Sequence, residues 1–157
     1  MTTKNIPAGI VIFGAKGDLT RRKLIPALYN LFIGKYLPAS FRIYCVDYLA
    51  VNTEEYKKDL QAGVNEFSRN GKAEESVWNE FAARVTYLQG DFLKADTFIA
   101  LKNALEAFDK KNNKRGTRTF YYAIAPRFIE ILSEALYKHF LCNRDNIDRI
   151  VVEKPFG

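Results

Sequence analysis

Gly9-Ile10-Val11-Ile12-Phe13-Gly14-Ala15-Lys16-Gly17-Asp18-Leu19 reads as a buried strand that enters a glycine turn and leaves it as a helix. The unbroken apolar run Ile10 to Phe13 suits a parallel strand covered on both faces. Gly14 can take backbone angles that a side chain forbids. Gly17 lets the main chain approach a ligand closely. The following helix turns unpaired N–H groups, and the positive end of its dipole, back toward the turn. Such a place binds a phosphate or pyrophosphate, as in dinucleotide-binding folds. The spacing is G-x-x-G rather than the commoner G-x-G-x-x-G, so a plain strand–turn–helix is the competing reading.

Arg21, Arg22 and Lys23 follow in or near the first helical turn. Cations there oppose the helix dipole by roughly 0.3–1 kcal/mol each. An anion bound nearby would account for them; a solvated basic run is the alternative for one or two of the three. Asp18 is expected to cap the helix. Pro26 either starts the main helical segment or kinks it.

Outward from this motif, strands and helices alternate. Strands are expected at Gly9–Phe13, Phe41–Val46, Val85–Leu88, Thr119–Ile124 and Arg149–Val152. Between the first two, a helical region runs to about Ile33. Thr53 is expected to cap an amphipathic helix with Tyr56, Leu60, Val64 and Phe67 at helical spacing. Gly71 ends it, and a shorter helix covers Glu75–Ala83. A helix from Ala95 or Asp96 reaches about Asp109, and Lys110–Gly116 is a polar loop. Pro126 starts a helix through Phe140, with Phe128, Ile131, Leu132, Ala135 and Leu136 facing inward. This order predicts an α/β fold: a Rossmann-like, doubly wound, mostly parallel sheet. Ligands bind beyond the carboxyl ends of such strands. The turn after strand one, Asp47-Tyr48, Ala125-Pro126 and Glu153-Lys154-Pro155 all reach that edge.

The 157 residues suit one domain, 1–157, and a content of 48% hydrophobic and 14% aromatic residues can bury a core. No apolar run is long enough to span a bilayer, and no signal-peptide pattern opens the chain. Cys45 and Cys142 are distant and flanked by apolar residues, so they read as core positions in a cytoplasmic protein. The net charge of +6 is spread along the chain apart from Arg21–Lys23 and Lys110–Arg115. No nucleic-acid fold signature accompanies it. An anionic small molecule for the first run and a solvated loop for the second is the reading adopted. No cluster suggests a metal site.

The chain resembles the N-terminal, coenzyme-binding part of the glucose-6-phosphate dehydrogenases. The carrying motifs are Gly14-Ala15-Lys16-Gly17-Asp18-Leu19 with Arg22-Lys23-Leu24-Ile25-Pro26-Ala27-Leu28, and the terminal Glu153-Lys154-Pro155-Phe156-Gly157. Tyr87-Leu88-Gln89-Gly90-Asp91 and Tyr121-Tyr122-Ala123-Ile124-Ala125-Pro126 support them. The resemblance implies oxidation of glucose 6-phosphate at C1 to the phosphogluconolactone, in the oxidative pentose phosphate pathway. Hydride would pass to NADP or NAD. Gly14 and Gly17 would shape the pyrophosphate turn, with Lys16, Asp18 and Leu19 beside it. Asp47 and Tyr48 would meet the adenosine end, and Ala125 and Pro126 would border the nicotinamide. Lys23 would lie near the sugar phosphate. Lys154 would contact substrate and coenzyme, with the Lys154-Pro155 bond cis.

The resemblance also implies a homo-oligomer when full length, and a catalytic histidine and larger substrate domain that this chain lacks. His139 reads as structural, so this chain alone is expected not to turn over substrate. Phe156 is expected to be exposed without the further domain.

Coenzyme choice stays open. Family members using NADP carry an arginine just after strand two, where this chain has Asp47-Tyr48. A carboxylate there accepts from ribose hydroxyls and repels a 2′-phosphate, so Asp47→Ala is expected to improve NADP affinity. A turn residue is the other reading of Asp47. Tyr48 can stack on adenine of either coenzyme. Lys16 stands where the family has a small hydroxyl residue, and its amine either reaches a phosphate oxygen or points to solvent. Thr20 replaces a usual alanine. Short-chain dehydrogenases also use G-x-x-G turns, but no tyrosine here has a lysine four residues on. A non-catalytic dinucleotide-binding module is the remaining alternative.

Overall fold

The structure, a computed structural model, describes residues 6–143, 145 and 147–153. Five strands form it: β1 (Ala8–Phe13), β2 (Phe41–Asp47), β3 (Val85–Gln89), β4 (Thr117–Tyr122) and β5 (Arg149–Val152). They lie in the order β3-β2-β1-β4-β5 and every neighbouring pair is parallel. Between them run α1 (Ile25–Ile33), α2 (Thr53–Phe67), α3 (Glu75–Ala82), α4 (Ala95–Lys111) and α5 (Ile129–Lys138). The sequence order reverses direction at β1, which places the switch point of the sheet beside the glycine turn.

Strand alternation divides the core in two. Ile10, Ile12, Ile43 and Cys45 face one way, against Ile25, Tyr29, Leu60 and Phe81 of α1, α2 and α3. Val11, Phe13, Tyr44 and Val46 face the other way, against Phe98, Leu101, Leu132 and Leu136 of α4 and α5. A strand buried on both faces has to be apolar throughout, which is why β1 reads as a continuous hydrophobic run.

Pro26 is accommodated by widening the helix ahead of it. Thr20–Leu24 form a π-turn, closed by Ile25 N–H to the Thr20 carbonyl, and α1 continues with Pro26 in its first turn. A proline lacks an N–H and its ring crowds the carbonyl four residues back; the extra residue in the turn relieves both.

Four local expectations are corrected. Asn52, not Thr53, caps α2, its side-chain oxygen accepting from Glu55 N–H at 3.1 Å. β4 spans Thr117–Tyr122 rather than Thr119–Ile124, because the chain leaves the sheet at Ala123 to pass over Gly14. Pro126–Phe128 form a separate 3₁₀ turn and α5 ends at Lys138, short of Phe140, with Ile131 on its exposed side. The Lys110–Arg115 run is not all solvated. Arg115 binds Asp148 through both guanidinium arms at 2.6 and 2.8 Å, and Arg118 binds Asp109 at 3.0 Å.

Cys45 and Cys142 are free. Among the described residues no helix is long and apolar enough to cross a membrane.

Gly14 has φ +104°, and a Cβ there would collide with the Ala123 carbonyl oxygen. Gly14→Ala is therefore expected to cost about 2–4 kcal/mol in urea unfolding. Gly71→Ala, at φ +77° in open space, should cost only about 1 kcal/mol.

Burial raises Cys45 from 9.0 to about 12, and Tyr44 and Tyr87 from 10.0 to about 12. These groups hold their protons more tightly when folded. Their contribution is complete below about pH 9 and is lost as the pH rises toward 12. Thermal melts across that range should show the melting temperature falling steadily above pH 9, the lower of the two ordinary values.

Candidate coenzyme site

The glycine turn is anchored on the ends of its neighbouring strands. The Val46 carbonyl accepts from Gly14 N–H at 2.9 Å and Ala15 N–H at 3.2 Å. Gly17 N–H donates back to the Gly14 carbonyl at 3.0 Å. Lys16 N–H donates to Asp47 Oδ2 at 2.8 Å, and Tyr48 N–H to Oδ1 at 2.8 Å. Every amide from Gly14 to Gly17 thus has a protein acceptor. Arg21 N–H to Gly17 C=O, at 3.3 Å, opens the helix. The amides of Asp18, Leu19 and Thr20 lie in its first turn, where N–H groups have no intrahelical acceptor. A phosphate is therefore offered the helix start rather than the glycines.

Two residues that sequence reasoning missed hold this turn. Thr20 is fully buried, and its hydroxyl donates to the Gly14 carbonyl at 2.7 Å. Tyr56 donates its hydroxyl to the Ala15 carbonyl at 2.8 Å, and Tyr87 packs edge-on against its ring. Burial pushes the Tyr56 phenol far above its ordinary value, which keeps it a donor. Tyr56 was legible only as an apolar helical position; a hydroxyl pointing across the chain leaves no mark in helical periodicity.

Asp47 is 7% exposed at the end of β2. Its two oxygens accept from backbone amides on both sides, so it ties the turn to the sheet whatever it does to a ribose. Tyr48 beside it is 65% exposed, leaving its ring open. Lys16 is exposed, and its ammonium lies 5.9 Å over the Tyr56 ring.

The basic run divides. Arg21 is paired with Asp59 at 3.1 Å and lies 3.9 Å from Glu66. Arg22 pairs with Asp18 at 3.5 Å, one helical turn apart. Asp18 therefore does not cap the helix as expected; its carboxylate faces along the helix surface to Arg22. Lys23 has no carboxylate partner among the described residues.

Two clefts meet at Leu19. One, of about 460 Å³, is lined by Asp18, Leu19, Arg22, Lys23 and Phe67. The other, of about 290 Å³, lies over the ends of β4 and β5, with Ala125, Pro126 and Glu153 in its lining. Tyr121 reaches this side too, donating its hydroxyl to Glu153 at 2.8 Å, and burial raises its phenol to about 12. Lys154, Pro155 and Phe156 lie outside the described residues. His139 stacks on Phe98 at 5.7 Å beyond α5, away from both clefts' linings. Among the described residues no three His, Cys, Asp or Glu side chains cluster as a metal would need.

A family model described as glucose-6-phosphate dehydrogenase, NAD binding domain, matches residues 11–157. The chain belongs to this family. It is 36% identical to the glucose-6-phosphate 1-dehydrogenase of Chlamydia pneumoniae over 96% of its own length and 30% of that relative. Against the Chlamydia muridarum enzyme it is 33% identical, over 96% of this chain and 31% of the relative. A solved glucose-6-phosphate dehydrogenase in complex with its substrate superposes on all of this chain and 32% of its own, with a TM-score of 0.87 at 29% identity. The chain thus spans about a third of the length of the relatives it matches. The fold and the nicotinamide-dinucleotide character of the domain are those of the family.

Asp47→Ala strips the acceptor from Lys16 N–H and is expected to destabilise the chain by about 1–3 kcal/mol. Asp47→Asn, which keeps one oxygen acceptor, should cost less. Urea unfolding of the two variants side by side measures the difference.

Proposed function

We propose that residues 1–157 are one coenzyme-binding domain of a glucose-6-phosphate 1-dehydrogenase that uses NADP, with NAD as the competing coenzyme. The observation that carries this reading is the helix start. Asp18 and Leu19, whose amides lie in the first helical turn, line a cleft with Lys23, which has no carboxylate partner among the described residues. That donor set fits a pyrophosphate, and the Gly14 cradle has no room for a Cβ. Gly14, Lys16 and Gly17 shape the turn, while Asp18 and Leu19 present the amides. Tyr48 carries the adenine on its open ring. Asp47 faces the adenosine ribose, its charge shared with two N–H donors. Ala125 and Pro126 border the nicotinamide in the cleft over β4 and β5.

When bound, the coenzyme accepts the hydride from C1 of glucose 6-phosphate. This chain's residues bind and orient: Lys23 and Lys154 attract the sugar phosphate, and Lys154 also touches the coenzyme. The proton from the C1 hydroxyl goes to a base supplied by the remainder of the enzyme, so this chain alone turns nothing over. The whole protein acts in the cytoplasm, in the oxidative pentose phosphate pathway, as a homo-oligomer.

Calorimetric titration with NADP and NAD at matched salt tests the proposal. The expected outcome is saturable binding of both, tighter for NADP. Tighter NAD binding would make Asp47 the selector and overturn the NADP assignment. A folded sample that binds neither would overturn the coenzyme role itself.

A further inference from the structure

At the opposite edge of the sheet, a concavity of about 450 Å³ opens between the starts of β2 and β3 and the last turn of α4. Small-molecule sites are about 300–1,000 Å³. Arg42, Arg84 and Lys111 line it, and no carboxylate does. Among the described residues none of these three cations has a carboxylate within 4.0 Å.

Two of the three are held in place. Arg42 Nη1 donates to Thr86 Oγ1 at 2.8 Å, across from β2 to β3. The Arg84 guanidinium lies over the Phe41 ring at 4.7 Å and the Phe32 ring at 5.2 Å. Guanidinium groups already fixed in orientation lose little freedom when they bind. Aromatic faces also shield one side of Arg84 from water, which strengthens its attraction for an anion.

The negative charge nearby is committed elsewhere. Asp109, on the same helical turn as Lys111, accepts from Arg118 at 3.0 Å and from Gly116 N–H at 2.9 Å. Three of the last four carbonyls of α4 are occupied as well. Asn112 N–H bonds those of Phe108 and Asp109, the Asn112 side-chain amide bonds Phe108 again, and Asn113 N–H bonds Lys110. Capping them reduces the partial charge that a helix C-terminus would turn against an anion.

We propose that this concavity is a second anion site, taking a small molecule with a phosphate or pyrophosphate group. Its oxygens lie between the Arg42 and Arg84 forks, a geometry that guanidinium groups match two bonds at a time. Lys111 supplies the third charge. The site is remote from the glycine turn. Arg42 is near the start of β2 and Asp47 at its end, about 17 Å along the strand at the usual rise. It stands whether or not the coenzyme assignment holds.

The test is a titration of the isotope-labelled chain with inorganic pyrophosphate at fixed ionic strength, read at each backbone amide by NMR. The expected result is a saturable shift at Arg42, Thr86 and Asn112, separate from any shift near Gly17. Arg42→Gln with Arg84→Gln should weaken it by about tenfold or more. The two single substitutions give the same reading in smaller steps, with the amide pattern reporting that each variant is folded. Unsaturating shifts at basic residues everywhere mean an adventitious ion only, and overturn the proposal. So does saturation confined to the glycine turn. A DNA duplex that shifts the same amides at lower concentration than pyrophosphate would replace the small molecule with nucleic acid, and equally overturn it.

Discussion

The carbonyl of Val46 and the carboxylate of Asp47, at the end of β2, hold the turn that the rest of the site depends on. Between them they accept the amides of Gly14, Ala15 and Lys16. From the other side, the Ala123 carbonyl closes over Gly14 so tightly that only a glycine fits. The turn is therefore clamped between the two strands that flank β1. Because both flanking strands are parallel to β1, all three ends reach the same edge of the sheet. A ligand at that edge meets a turn that has little freedom left to lose.

This clamping determines which groups remain for a ligand. Backbone N–H groups are obligatory hydrogen-bonders, and those buried in the turn are already paired with protein acceptors. What is left over is the first turn of the helix, at Asp18 and Leu19, which line the cleft. The same accounting sorts the cations. Arg21 and Arg22 have carboxylates of their own and lie on the Phe67 ring, whereas Lys23 has none among the described residues. Exposed ion pairs contribute little to stability, but they decide where charge is free to act.

At the far edge a different rule operates. Asp148 has no exposed side-chain surface, yet it accepts both arms of Arg115 and the amides of Arg118 and Asn143. A buried carboxylate is tolerated only when its oxygens are so satisfied. The network ties the start of β5 to β4 and to the end of α4. Among the described residues it leaves Arg42, Arg84 and Lys111 without acidic partners.

The sequence by itself determined the order of elements, the glycine turn and the two-faced core. Hydrophobic periodicity and the steric demands of glycine and proline are local, and they act before any tertiary contact forms. The five-stranded parallel sheet and the position of the candidate site at its carboxyl edge follow from them. Tertiary structure alone decided the directions of polar side chains. Asp47 reads equally as a ribose acceptor or a turn residue, and only the arrival of Lys16 N–H, thirty-one positions away in sequence, makes it an anchor. Thr20 looks like an ordinary helical residue until Gly14 is folded over it. Asp18 carries the composition of a cap but lies one step inside the helix, facing Arg22. Hydrogen bonds and ion pairs depend on partners distant in sequence, and their geometry exists only once the sheet has brought those partners together.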